Sequence, residues 1–402
     1  MKRLRLLLLP LIWMVAFLGC KPEDPIIIPI PSATLYPMEI PLGFPNKLNI
    51  PADNPITVEG ALLGRYLFYD GRLSGRTHPD SLMSCATCHV QSRSFSTGID
   101  NPRFPGGHTF GLNGEYTPHY TMPLVNLIFN SNGYLWNGMI HETNATFYQN
   151  DPRYHRRNIE SLTWMGIVAP HEMAGDVDKT VELIASISMY PPMFTAAFGT
   201  PDVTYERISW AIAQFIRTLI SGDNKFDKYL RGEYQMTTSE LNGFVLFVTE
   251  EGADCFHCHG GDGNPLFTTN LYYNNATDNT FGDPRDRYAI TGKPTDIGAY
   301  KAPTLRNIFS TAPYMRDGRF QTVDEVIDFY SHHLVWSPYV HPLMHKINED
   351  GAQLLPFEKN DLKNFLLLLQ DTTFLTNPAF SNPRPDDHFF QADPFVVNKV
   401  RK

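Results

Sequence analysis

Apolar positions recur at helical spacing along this chain, and nowhere do they alternate long enough to make a strand. Between Gly60 and Asp70, Leu62, Leu63, Tyr66 and Leu67 share one helical face. From Tyr205 to Ile220, Ile208, Ala211, Ile212, Phe215, Ile216 and Leu219 form the clearest stripe, and Ser221-Gly222-Asp223-Asn224 closes it at a natural domain boundary. Thr237 with Glu240 is a capping-box pair that starts a further helix toward Cys255. Thr322 with Glu325 is another, opening a helix whose inner stripe is Val323, Val326, Ile327 and Tyr330. A helix is also expected from Asp176 to Tyr190, and Leu362, Phe365, Leu366 and Leu369 mark a last one over Asp361 to Gln370. The pattern predicts a chain of helices and loops.

Composition lengthens the loops. The 402 residues hold 32 prolines and 28 glycines, enough to exclude a repeat solenoid or coiled coil. The length suits about two domains. Nine prolines between residues 21 and 55 make an extended tether. Before it, Lys2, Arg3 and Arg5 precede an apolar run from Leu6 to Leu18, then Gly19 and Cys20: an export signal, whose Leu18-Gly19-Cys20 end resembles a bacterial lipoprotein box with Cys20 as the lipidated residue. An ordinary secretory signal or an uncleaved anchor is the other reading. The whole chain has a formal net charge of −9, and removal of the three basic leader residues leaves 30 − 42 = −12. That charge argues against nucleic acid as a partner.

The cysteines carry the chemistry. Apart from Cys20, all of them fall in Cys85-Ala86-Thr87-Cys88-His89 and Cys255-Phe256-His257-Cys258-His259. In C-x-x-C-H the two thiols are spaced to add to the two vinyl groups of one haem, and the following histidine turns onto the iron. Two such motifs predict two covalently bound haem c groups ligated by His89 and His259. A four-cysteine zinc site or two disulfide loops would not require a histidine after each pair. Pro123 to Gly138 also echoes Pro303 to Gly318 at an offset of 180 residues, through Tyr134-Leu135-Trp136-Asn137-Gly138 and Tyr314-Met315-Arg316-Asp317-Gly318. Two copies of one haem-binding domain would produce this echo.

Longer motifs make the resemblance specific. Leu63-Gly64-Arg65-Tyr66-Leu67-Phe68-Tyr69-Asp70 with Leu73-Ser74-Gly75, then Asn264-Pro265-Leu266-Phe267, Ala302-Pro303-Thr304-Leu305-Arg306-Asn307 and Thr311 to Phe320 together resemble the bacterial di-haem cytochrome c peroxidase family. That family includes the enzyme that matures methylamine dehydrogenase by oxidising tryptophans on another protein. The resemblance implies an all-α fold of two tandem cytochrome c-like haem domains with long loops. With the signal (1–19) and tether (20–55) already read, the expected division continues with an N-terminal peroxidatic domain (56–222), a C-terminal electron-transfer domain (223–380) and a tail (381–402). Glu172, in Ala169-Pro170-His171-Glu172-Met173, matches the family's distal acid/base, with His171 as a substitute; a carboxylate at the start of the following helix is the structural alternative. Trp136 matches the tryptophan between the haems, where its alternative is core packing. Tyr330 matches the sixth ligand of the second haem, with Met315 as the alternative and His332 and His333 behind them. His108 and His119 lie in the loop where some peroxidases keep a distal histidine, and the segment Asp151 to Arg157 is an insertion near the pocket. His341 and His345 make no zinc motif and read as loop residues. The family's calcium, held partly by carbonyls at Thr311 and Pro313, also takes an asparagine whose place Tyr120 fills here, which weighs against the ion.

The expected function is therefore a di-haem c-type peroxidase-like oxidoreductase. It reduces hydrogen peroxide with electrons from a small donor such as a cytochrome c or cupredoxin, at the periplasmic face of a bacterial membrane, held there by a lipid. Peroxide-dependent oxidation of a protein or small molecule is the second reading, and a non-enzymatic di-haem electron carrier the third. A homodimer is compatible with each.

Overall fold

Thirteen α-helices and two very short strands lie among the residues described by the computed structural model, which are 33–140, 158–261, 263–283 and 286–391. The signal, Cys20, the first part of the tether and the insertion Asp151 to Arg157 lie outside them. The helices are α1 (Val58–Tyr69), α2 (Cys85–Cys88), α3 (Ile159–Val168), α4 (Val177–Ser186), α5 (Tyr190–Phe198), α6 (Tyr205–Thr218) and α7 (Lys225–Leu230). They continue with α8 (Thr238–Val248), α9 (Phe256–His259), α10 (Tyr288–Thr291), α11 (Val323–His332), α12 (Pro356–Leu367) and α13 (Thr372–Thr376). The strands β1 (Tyr272–Tyr273) and β2 (Tyr300–Lys301) form one antiparallel pair.

Local chemistry sets the helix ends. Both capping boxes form: Thr237 and Glu240 at α8, Thr322 and Glu325 at α11. The helix expected from Asp176 to Tyr190 is α4, which ends at Ser186, and a separate helix, α5, starts at Tyr190. Pro191 and Pro192 occupy the first turn of α5, where a missing N–H costs nothing, whereas inside a continuous helix they would break its hydrogen bonds.

Two helix pairs organise two apolar cores. In the first, α1 crosses α6, and the six stripe residues of α6 are all buried. The crossing depends on Gly64, where a Cβ would stand 1.9 Å from the carbonyl oxygen of Ala211. In the second, α8 crosses α12, and a Cβ on Gly243 would stand 2.0 Å from the carbonyl oxygen of Asp361. Leu63, Leu67, Phe68, Trp164, Ile212 and Phe215 fill the first core; Phe247, Phe267, Ile327, Leu362 and Phe365 fill the second.

The chain then returns to its beginning. Phe374, Leu375, Phe380 and Phe390 pack in the first core, the Tyr69 hydroxyl donates to the Phe380 carbonyl at 2.8 Å, and Arg65 Nε donates to Ser381 at 2.7 Å. Residues 374–390 thus strap the first core, although sequence order assigned them to the second domain and a tail. Buried aromatics decide this, because they gain most where an apolar face still needs covering.

The echo is visible in the backbone. Asn126 and Asn307, both left-handed, each precede a 3₁₀ turn; Leu135 and Met315 have φ of 66° and 67°; and the bridges Tyr134 to Ile140 and Tyr314 to Phe320 correspond. Two buried, bidentate ion pairs fix the frame: Arg217 to Glu160 at 2.7 and 2.9 Å, and Arg306 to Asp227 at 2.8 and 2.6 Å. Each guanidinium also donates to a backbone carbonyl, Asn49 and Pro265 respectively, so the charges of these two pairs are all partnered.

Candidate functional site

Each C-x-x-C-H motif begins a single helical turn that is too short to stand alone and is held from outside. The Ser84 backbone N–H donates to Thr87 Oγ1 at 3.0 Å, locking the start of α2. His89 Nδ1 then meets the Phe95 carbonyl at 2.6 Å, and His259 Nδ1 meets the Pro303 carbonyl at 3.0 Å. A carbonyl can only accept, so each Nδ1 carries the proton and each Nε2 keeps its lone pair. Burial lowers both imidazoles to a pKa of about 4, which keeps them neutral and ready to ligate a metal. Phe95 and Phe267 sit on left-handed backbone, which turns the chain under each motif.

Each motif lines a hollow of its own, with about 2450 Å³ of atom-free space at the first and about 1450 Å³ at the second, open mouths included. The walls are mostly apolar. Cys85, Cys88 and His89 line the first; Cys255, Cys258 and His259 line the second. Thiols spaced for two vinyl groups, a neutral imidazole edge and a large apolar hollow fit a covalently attached haem at each motif.

Glu172 stands in the wall of the first hollow, in the turn between α3 and α4. Arg76 holds that turn by donating to the carbonyls of Met173 at 2.9 Å and Ala174 at 3.1 Å. The Glu172 carbonyl accepts from Leu112 N–H, and its carboxylate lies 3.9 Å from His171 Nε2. Burial raises the carboxyl to a pKa of about 7. The cap of α4 is Asp176, which accepts from Lys179 N–H. His119 also lines the first hollow, with Nε2 on Asp283 at 2.7 Å, whereas His108 turns Nε2 to the Thr117 carbonyl.

Trp136 lines both hollows. Its indole N–H donates to the Tyr120 carbonyl at 2.8 Å and its own carbonyl accepts from Lys301 N–H at 2.7 Å, so ring and backbone are both fixed. Lys301 lines both hollows too. Its ammonium donates to the Asn270 carbonyl and lies over the Tyr272 ring, and burial with Arg287 nearby lowers it to a pKa of about 7.

Tyr330 and Met315 face the second hollow together, and Asn275 touches both: its amide donates to the Tyr330 oxygen at 2.8 Å and lies 3.7 Å from the Met315 sulfur. Burial raises the Tyr330 phenol well above its ordinary range. Neither His332 nor His333 lines this hollow. Tyr120 spends its hydroxyl on the Gly106 carbonyl and its ring on Gly318.

Sequence reasoning missed Asn275, Lys301 and Arg76. None lies in a motif, and each acts through contacts far from it along the chain.

Known proteins place this arrangement. Residues 58–235 match the family model for di-haem cytochrome c peroxidase. The cytochrome c551 peroxidase of Nitrosomonas europaea is 30% identical over 283 residues, covering 69% of this chain and 75% of that protein. This chain belongs to the di-haem cytochrome c peroxidase family. The methylamine utilization protein MauG of Methylophilus methylotrophus is 29% identical over 343 residues, with 83% and 89% of the two chains covered. A solved MauG-like protein associated with microbial copper homeostasis superposes with a TM-score of 0.72 at 30% identity, covering 87% of this chain and 99% of that one.

Membership makes the protein a peroxidase-like oxidoreductase with haem c cofactors, peroxide as substrate and a redox protein as electron donor. The family works in the bacterial periplasm. Among the described residues, no helix is long and apolar enough to cross a membrane.

Proposed function

We propose that hydrogen peroxide is reduced in the first hollow and that the electrons it takes are drawn through Trp136 from the second. The observation that carries this reading is Trp136 in the wall of both. The overall balance is one peroxide, two protons and two electrons to two waters. Haem, when bound, would supply the redox chemistry for O–O cleavage; Cys85 and Cys88 would hold one haem and Cys255 and Cys258 the other, with His89 and His259 as the histidine ligands. Glu172 would take a proton from one peroxide oxygen and return it to the other, a task suited to a carboxyl poised near neutral pH. His171 Nε2 lies beside it at 3.9 Å.

Tyr330 would ligate the second haem better than Met315. Asn275 donates to its oxygen at 2.8 Å, a bond that favours the anionic phenolate a ferric iron would bind. A phenolate stabilises oxidised iron, whereas the Met315 thioether favours the reduced form. Tyr330 therefore supports the second reading, in which the oxidising equivalents of peroxide are spent on a protein or small-molecule substrate. With Met315 bound, a cytochrome c or cupredoxin would be the natural source of electrons.

We further assign each half of the chain to one haem domain, with the 374–390 strap belonging to the first. Lipidation at Cys20 would tether the protein to the periplasmic face of a membrane. Calcium is not part of this reading, because the Tyr120 hydroxyl is already committed, and the assembly is left as monomer or homodimer. Electron paramagnetic resonance of the purified ferric protein, before and after peroxide, tests the function. Two low-spin signals unchanged by peroxide would mark a plain electron carrier and overturn the enzyme reading.

A further inference from the structure

One side-chain cluster beside the second C-x-x-C-H motif has no part in this chemistry. Glu250 follows α8, His257 is a variable residue inside the motif, and His345 begins a 3₁₀ turn almost ninety positions further on. Their candidate ligand atoms all lie within 4.8 Å of one another. His257 Nε2 is 3.5 Å from Glu250 Oε1, close to the ~3.3–3.5 Å edge of a tetrahedral zinc site with bonds of about 2.0–2.1 Å.

A fourth residue orients the others. Asp254 is buried beneath them; one of its oxygens takes His257 Nδ1 at 2.6 Å, and the other lies 3.5 Å from His345 Nδ1. A carboxylate behind Nδ1 fixes the tautomer with the lone pair on Nε2 and raises the basicity of the ring, as outer carboxylates do at histidine metal sites. The His257 and His345 rings meet edge to face, with centroids 5.1 Å apart. Charge points the same way. Among the described residues the ion pairs of Glu250 and Asp254 run only to these two histidines, so neutral imidazoles leave two negative charges together. Glu250 and His345 are exposed, which gives an ion a way in and leaves room for water as a further ligand.

We propose that Glu250, His257 and His345 bind one divalent transition-metal ion, with Asp254 as the positioning carboxylate. Two imidazoles and one carboxylate suit zinc and its neighbours and disfavour calcium or magnesium, which prefer oxygen ligands. The ion would sit on the motif that carries the second haem. Its positive charge would stabilise the reduced form of that centre and move its potential upward, a readout that rests on the haem assignment above.

The test is calorimetric titration of the tag-free, chelator-washed holoprotein with Zn²⁺, followed by redox titration with and without the ion. One zinc per chain is expected. His345→Ala and Glu250→Gln, both at exposed positions, should each weaken binding at least about tenfold, and Asp254→Asn by about 10- to 100-fold. His388→Ala, outside the cluster, should bind as the parent does. Haem content and circular dichroism check that each variant is folded. Absence of stoichiometric zinc, equal binding by the parent, His345→Ala and Glu250→Gln, or a preference for Ca²⁺ would each overturn the site. Zinc binding without a shift in potential would keep the metal site and count against the haem assignment.

Discussion

Replacing Glu172 by Gln removes a proton acceptor while leaving the volume of the side chain almost unchanged. The first hollow should keep its shape, because Arg76 holds the turn through backbone carbonyls and Asp176 caps the next helix without help from Glu172. What changes is proton transfer, and positioned acid/base groups contribute about 10²–10⁴-fold. The pH dependence gives the sharper test. With a carboxyl at about pKa 7, the base form makes up about a tenth of molecules at pH 6, half at pH 7 and nine-tenths at pH 8. Peroxide must first give up a proton, so the rate should rise about tenfold from pH 6 to pH 8. A carboxylate at its ordinary value would be fully ionised throughout and give a flat profile. The assay is stopped-flow mixing of the ferric protein with peroxide across this range, followed at the haem absorption bands. A flat profile, or a Glu172→Gln loss below about threefold, would refute the assignment and make His171, at 3.9 Å, the next residue to change.

Other outcomes follow from the same geometry. Tyr330→Phe should alter the ferric spectrum of the second haem and raise its potential, while Met315→Leu should do neither; the reverse result would exchange the two ligands. Trp136→Phe should slow electron exchange between the haems while both remain attached, and an unchanged single-turnover rate would return Trp136 to core packing. Mass spectrometry of the parent should find two haems, and Cys85→Ala and Cys255→Ala should each lose stable attachment of one. Gly64→Ala should destabilise the fold by about 3 kcal/mol or more, since its methyl would meet the Ala211 carbonyl; thermal melts within a degree of the parent would show that α1 can move aside.

The expectation of haem attachment came from local spacing alone, because two thiols and an imidazole within five residues suit that chemistry whatever surrounds them. The helices around Leu63, Ile212 and Leu362 were legible too, since a stripe at 3.6-residue spacing states which face must be buried. Motif likeness marked Glu172, Trp136 and Tyr330 for roles, and the structure sets all three in the walls of the two hollows. Distance along the chain hid the rest. Asn275 is 55 residues from Tyr330, and Lys301 reaches the wall between the hollows only because β2 returns beside Trp136. The strap of Phe374, Phe380 and Phe390 could have covered any apolar face, and only the exposed side of the first core decided which. His345 carries no local signal at all. It becomes a candidate ligand because the fold lays its turn against His257 and buries one carboxylate, Asp254, behind both rings. Sequence thus determined which groups this protein carries and which faces must be hidden, because those depend on neighbours a few residues away. Tertiary structure decided which groups meet, because packing brings together residues whose separation along the chain holds no record of their contact.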